Sequence, residues 1–233
     1  AVLKDLSAEA YARQRTRMRE FVERLEGFGD HELSEEEIID RDLAIQLFRM
    51  RIFEAEELRI HERMALATED LGSALFFLFT RDDSPLESRI DSITSRLEKV
   101  PEYLERSKSS LTSPCRLWTE IALETGRALG SFLDTIESHA VSMFGRTDRT
   151  ARLSSAVKRA KEALVGYNRW LEEDVLPASS TDTHVSADVF ERYMKLKGFD
   201  ITPEEALKVG EAHLLKTRDR MAWTAGKVVK LAP

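Results

Sequence analysis

The side chains that could act as metal ligands or nucleophiles in this sequence are few. It has five histidines, widely spaced along 233 residues: His31, His61, His139, His184 and His213. A zinc-protease helix needs two histidines four residues apart with a glutamate after the first, because only that spacing brings both imidazoles to one metal. Neither His31-Glu32 nor His61-Glu62 is followed by a second histidine at that distance. We therefore expect both to be surface histidines beside surface glutamates.

The Glu-x-x-His pattern of di-iron helical bundles is also absent, since no histidine has an acidic residue three positions before it. Glu54, Glu57 and His61 have the spacing to share one face of a helix, where they could reach a metal. The same spacing is typical of a solvated polar face, and we interpret it as such a face. The sequence therefore predicts no metal ligand, and no zinc or other cofactor, within this chain.

The single cysteine, Cys115, directly follows Pro114 at a predicted helix start, where the helix dipole would favour a thiolate. Nucleophilic catalysis also needs a neighbouring base, and no motif supplies one, so we interpret Cys115 as structural. The sequence contains no phosphate-binding loop, dinucleotide-binding glycine pattern or nucleophile elbow. We predict no catalytic and no cofactor-binding residue.

Charge and composition exclude several classes of partner. The sequence has 35 lysines and arginines against 42 aspartates and glutamates, a net charge of -7 that would repel nucleic acid. The longest apolar run, Ala74 to Phe79, is far shorter than a membrane-spanning helix. One cysteine makes no internal disulfide, which fits the cytoplasm. Asparagine and glutamine are rare beside abundant charges, a balance associated with heat-adapted proteins.

The elements that must position these residues are helices, because glycine and proline are few and helix-start signals are clear. Ser34 with Glu37 forms a capping box. Three Ser-Pro or Thr-Pro pairs, Ser84-Pro85, Ser113-Pro114 and Thr202-Pro203, predict an N-cap followed by the first helical residue. We predict an all-α bundle of about eight or nine long antiparallel helices, with no sheet.

Apolar periodicity predicts the bodies of these helices. From Glu35 the pattern continues without a breaker to about Met64, which predicts one long helix. The run Leu75–Phe79 is apolar on every side, and we expect it to be buried in the core. After Pro114 the predicted inner face comprises Trp118, Ile121, Thr125, Ala128, Phe132, Ile136 and Met143. Its predicted antiparallel partner packs through Leu153, Val157, Ala160, Leu164, Tyr167, Leu171 and Val175.

The division of the chain follows from a Ser/Thr-rich, aperiodic stretch, Ala178 to His184. We predict a main helical bundle over 1–177, a linker over 178–185 and a C-terminal helical arm over 186–233. The helix after Pro203 carries apolar residues at seven-residue intervals, and we expect these to form an interface: Leu207, Leu214, Met221 and Val228, with Leu231 at the end. The alternative is that this helix is the last core helix of the bundle.

Several segments, in the same linear order, resemble the N-terminal half of the domain of unknown function 885 (DUF885) family. Asp40–Leu43 followed by Phe53–Leu58 resembles the second helix of that family. Arg89–Leu104 resembles its R-x-x-x-I-P-x-x-L segment, and Trp170–Pro177 its W-L-x-x-x-x-L-P helix end. Ile201–Leu207 with Gly-Glu-Ala shortly after resembles its Leu-Thr-Pro-Glu-Glu opening.

This resemblance implies a function for the whole family protein rather than for these residues. Family members are longer, resemble helical zinc metallopeptidases, and have a His-Glu-x-x-Pro-Gly-His-His motif in a C-terminal half that is missing here. The resemblance implies that this chain is the N-terminal helical region of a metallopeptidase-like hydrolase. Its active centre and zinc would then lie in the missing half, and the chain alone would not be an enzyme. The expected partner is that half or a homo-oligomer.

The alternative comes from a different functional class. The chain could be a self-sufficient helical scaffold or partner-binding module that takes no part in catalysis. The last helix separates the two hypotheses. It would dock on the missing half in the first, and would close this bundle or a homodimer in the second.

Overall fold

The computed structural model describes residues 3–231, and the side chains of residues 3–228. The all-α prediction is confirmed: the described residues form nine α-helices of eight residues or more, and no strand. These are Ala8–Glu26 (α1), Glu35–Glu56 (α2), Ala67–Thr80 (α3), Leu86–Leu97 (α4), Val100–Ser107 (α5), Arg116–Phe144 (α6), Asp148–Trp170 (α7), Ala187–Leu196 (α8) and Pro203–Leu231 (α9).

By their contacts the residues form two compact units. The first comprises Ala1–Phe21 and Glu54–His184, and the second Val22–Phe53 and Val185–Pro233. The boundary after His184 falls within the predicted linker. Val22–Phe53, which the sequence assigned to the main bundle, belongs by contact to the second unit.

The first unit contains the hydrophobic core. The antiparallel pair α6 and α7 lies at its centre, α3 packs against α6, and both α4 and α5 pack against α7. The inner face predicted for this helix is confirmed, since all seven predicted residues are buried, five of them in α7. A π-helical turn, Leu171–Val175, continues this face beyond α7.

The predicted inner face of α6 is largely wrong. Of the predicted residues only Ile136 is buried, whereas Ile121 and Met143 are exposed. The buried face consists of Thr119, Ala122, Leu123, Gly126, Leu129, Leu133, Ile136 and Ala140. Several of these are small residues, which allow neighbouring helices to approach closely. Periodicity that follows the largest side chains therefore selects the adjacent face.

The run Leu75–Phe79 is buried on one side alone, contrary to the expectation. Leu75 is fully buried, but Phe77 is 59% exposed and Phe76 is also exposed. Successive helical residues point about 100° apart, and the neighbours of α3 cover one side of it. Phe76 instead packs at the surface against Phe132, with ring centroids 6.2 Å apart.

The second long helix ends earlier than predicted, at Glu56, and a separate turn of helix follows at Ile60–Arg63. Arg59 between them adopts a left-handed conformation with φ 50°. Tertiary contacts hold this turn, because the N–H of Ser113 donates to the carbonyl of Glu62 at 2.9 Å and that of Cys115 to the carbonyl of Arg63 at 3.0 Å. These contacts replace the helical continuation that local periodicity predicts.

The capping boxes at Ser34 and Thr202 are confirmed by reciprocal hydrogen bonds with Glu37 and Glu205. The caps predicted at Ser84 and Ser113 are wrong, since α4 begins after Pro85 and α6 after Cys115. Pro85 itself is extended, with ψ 141°, and occupies the cap position.

Candidate functional site

The structure places the five histidines in separate parts of the chain, and four of them are exposed: His31, His139, His184 and His213. The expectation of a surface position is wrong for His61, which is 8% exposed. Glu54 lies in α2 and His61 in the next turn, beyond the break at Arg59, so the predicted common helix face does not form. Among residues 3–231, no group of three or more His, Cys, Asp or Glu could hold a metal ion.

The imidazole of His61 packs against the ring of Tyr11, with centroids 4.3 Å apart. Burial lowers the pKa of His61, because the imidazolium form loses its hydration. Glu62, with a carboxylate oxygen 3.7 Å from Nε2, acts in the opposite direction. Three cations lower the pKa of His61 further: Arg15, Arg59 and Lys4. Burial also raises the pKa of Tyr11 to about 12.

We expect this buried imidazole to make stability depend on pH. The pKa of His61 is lower in the folded chain than its ordinary value of about 6.5. The unfolded chain therefore takes up the proton first, so the contribution of His61 is complete above about pH 6.5 and is lost as the pH falls towards the folded pKa. Denaturant unfolding of wild type and His61→Gln, at about pH 7.5 and about pH 5.5, measures this loss. The same pH dependence in both proteins would contradict the prediction.

Cys115 is buried at the N-cap position of α6. Its neighbourhood is held by backbone bonds, since Arg116 donates to the carbonyl of Ser180 at 2.8 Å and Ser180 donates to that of Pro114 at 2.8 Å. The chain around the thiol is thus fixed to the segment that follows α7. The structural role of Cys115 stays a prediction.

A surface open to a partner lies on α9, a helix of 29 residues. It begins with a capping box, in which the N–H of Glu205 donates to Thr202 Oγ1 at 3.2 Å and the N–H of Thr202 donates to Glu205 Oε2 at 2.8 Å. The predicted interface residues Leu207, Leu214, Met221 and Val228 are between 62% and 67% exposed. The side chain of Leu231 lies outside the described residues. Every residue from 207 to 228 is exposed.

The seven-residue row has a surface suited to apolar contact. Met221, Val228, Thr217 and Thr224 contribute to one open apolar depression along the helix. The hydroxyl of Thr224 donates to the carbonyl of Arg220 at 2.8 Å. Because its hydrogen bond is made within α9, Thr224 can enter an apolar interface without leaving its hydroxyl unsatisfied.

Sequence reasoning missed further exposed apolar residues of α9, among them Val209 and Trp223. Val209 and Trp223 are 14 residues apart but lie off the row that starts at Leu207, and a projection of all residues around the helix axis would have found them. Trp223 already has a neighbour within the helix, since Lys227 Nζ lies 3.7 Å from its ring centroid. This cation–π contact partly covers the side of α9 away from the predicted row.

Comparison with protein families gives one match that extends over nearly the whole chain. Residues 1–232 match the model of a family described as "Bacterial protein of unknown function (DUF885)". The chain belongs to this family. The resemblance inferred from sequence motifs is thus confirmed for DUF885 membership. No curated protein matches the sequence.

Among solved structures, this DUF885 chain is similar to "a putative lipoprotein of unknown function from Shewanella oneidensis". The TM-score is 0.70 at 17% sequence identity, and the match covers 84% of this chain and 36% of that chain. At this identity the likeness shows a shared helical fold alone. The DUF885 chain therefore spans about a third of the length of its structural neighbour. Within residues 3–231, no helix has the length and apolar character needed to cross a membrane.

Proposed function

We propose that this DUF885 chain is the non-catalytic N-terminal helical region of a larger, zinc-metallopeptidase-like hydrolase. In this proposal the first unit is a rigid support, and the catalytic groups belong to polypeptide outside residues 1–233. The match covers 36% of the neighbouring structure, so in that protein this fold is one region of a longer polypeptide. This supports the proposal that our chain is also one region of a longer protein. The metallopeptidase part of the proposal rests on the sequence resemblance.

The observation that carries the proposal is the exposure of α9. A helix of 29 residues that leaves its large apolar side chains in water gains little from packing, and most helical stability in proteins comes from packing. Exposed contiguous apolar surface of this kind marks an interaction site. Docking on a second part of the same protein would bury it.

The arrangement of the described residues supports the placement of zinc outside this chain. The histidines lie in separate parts of the chain, and no group of three or more suitable ligands is present among residues 3–231. Three protein ligands are the usual minimum for a catalytic zinc. In this proposal zinc is held by residues outside this chain, and none of its described side chains is assigned a step in hydrolysis.

The test compares the complete gene product with the 233-residue chain. We expect the complete product to hold zinc after dialysis and to hydrolyse a mixture of short unblocked peptides, with activity lost on chelation and restored by zinc. We expect the 233-residue chain to hold no stoichiometric zinc and to hydrolyse none of them. Elemental analysis and mass spectrometry of the peptides provide both measurements.

Two outcomes would contradict the proposal. One tightly held zinc per 233-residue chain, or hydrolysis by that chain alone, would place the active centre within it. A complete product that neither holds zinc nor cleaves peptides would favour the second candidate, a helical scaffold or partner-binding module without catalysis. The exposed face of α9 favours that candidate as well, because a scaffold also needs a docking surface.

A further inference from the structure

The apolar face of α9 is a seam of two rows. The large row is Leu207, Leu214, Met221 and Val228, and the small row is Gly210, Thr217 and Thr224. A seven-residue repeat keeps facing the same neighbour when two helices wind around each other. We infer that this seam seats one antiparallel α-helix with acidic flanks, contributed by polypeptide of the same protein outside residues 1–233. The inference rests on the proposed function and names the element that docks.

The shape of the seam favours a helix as the partner. Large side chains alternate with Gly210, Thr217 and Thr224, so each of the first three large residues is followed by a shallow position that can accept a side chain of the partner. A Cβ atom built on Gly210 meets no atom within 4 Å in this chain. The space above Gly210 is therefore open, and the backbone of a partner helix can come close there.

The charges beside the seam select the chemistry of the partner. Glu211 and Arg218 lie on one flank and His213 and Arg220 on the other, while the ammonium of Lys227 lies over the ring of Trp223, away from the seam. The two arginines thus outnumber the single acid. A second copy of α9 would add the same basic excess, whereas a helix with glutamates or aspartates beside its apolar row would neutralise it.

The position of α9 supports an occupant from the same polypeptide. It is the last helix of the described chain. Polypeptide that follows it would start at the end of the seam and could return along it, as α7 returns along α6. The matched region is 36% of the neighbouring structure, so a longer polypeptide does accompany this fold in that protein.

Two glycines of α9 provide a matched pair of variants. Gly226 lies about 160° around the helix from Gly210, at 3.6 residues per turn. A Cβ at either position meets no atom within 4 Å. Gly210→Leu and Gly226→Leu therefore raise helix propensity equally, but Gly210→Leu fills the small row of the seam.

The experiment is hydrogen exchange of the complete gene product and of the 233-residue chain. In the complete product we expect residues 207–228 to exchange at least about 100-fold more slowly than in the monomeric chain. Gly210→Leu should remove most of this protection, and Gly226→Leu should retain it. In the complete product, the double substitution Arg218→Glu and Arg220→Glu should increase the exchange rate of residues 207–228 at least about tenfold, because the acidic flanks of the partner would then be repelled.

Each contrary outcome overturns the inference. Equal exchange of residues 207–228 in the two proteins would show that nothing covers the seam. Dimers of the 233-residue chain that Gly210→Leu dissociates would identify a second copy as the occupant. Full protection of residues 207–228 in the complete product that carries Gly210→Leu would show that the partner does not bind at this face. The hydrolysis assay distinguishes this inference from the proposed function. A complete product that hydrolyses peptides while α9 stays unprotected refutes the inference alone. A complete product that protects α9 but lacks zinc and activity refutes the proposed function alone.

Discussion

Leu75→Ala is expected to lower the free energy of unfolding by about 2 to 5 kcal/mol, whereas Phe77→Ala, two residues further along α3, is expected to cost less than about 1 kcal/mol. Leu75 is fully buried among the core residues. Its truncation removes buried apolar surface and leaves a cavity. Phe77 is 59% exposed, so its truncation removes surface that water already reaches.

Denaturant unfolding of the two variants beside the wild-type chain measures both costs. The pair is well matched, since both substitutions place alanine at neighbouring positions of one helix and change its propensity little. A loss above about 2 kcal/mol for Phe77→Ala would restore the original expectation that the whole run is core. A small loss for Leu75→Ala would contradict the packing of α3 against α4 and α6.

The sequence predicted the helices far better than the faces that they bury. The inner face of α7 was correct because its apolar residues recur between polar ones, so a single face satisfies the pattern. On α6 two neighbouring faces are apolar, and the larger side chains lie on the wrong one. Gly126 and Ala140 are buried because close helix approach requires small residues, and that requirement arises from the partner helix.

The early end of α2 could not be read from local sequence for a related reason. No glycine or proline interrupts the residues from 35 to 64. The break at Arg59 is held by the backbone bonds of the next turn to Ser113 and Cys115. Those partners are some 50 residues away, so the pattern around Arg59 carries no sign of them. His61 lies in the same turn, so its burial could not be predicted from local sequence either.

The candidate site likewise has one property that a single helix determines and another that its neighbours determine. The row from Leu207 to Val228 was predictable, because seven-residue spacing is a property of one helix. Its exposure was not, because burial depends on what lies beside α9. The core interpretation of this helix, left open by the sequence, is not supported within the described chain, where residues 207–228 are exposed.

Gly126→Ala is expected to lower the free energy of unfolding by about 1 to 3 kcal/mol. Gly130→Ala, one turn along α6, is expected to raise it by up to about 1 kcal/mol through helix propensity. A Cβ at residue 126 would lie 2.2 Å from Oδ1 of Asn168 and 3.0 Å from both Cγ and Nδ2, so the whole amide would have to move. A Cβ at residue 130 meets no atom within 4 Å.

The cost at Gly126 should depend on Asn168. Its buried Oδ1 accepts no hydrogen bond from the part of the chain that the structure describes, so a shift of this oxygen breaks no hydrogen bond within that part. Asn168→Ala removes the atoms that a new Cβ would meet. In that background we expect Gly126→Ala to become neutral or stabilising, so that the two substitutions are non-additive by about 1 to 3 kcal/mol in denaturant unfolding. If Gly126→Ala stabilises the wild-type chain as much as Gly130→Ala does, the amide moves freely, and the close approach of α6 and α7 does not require glycine at this position.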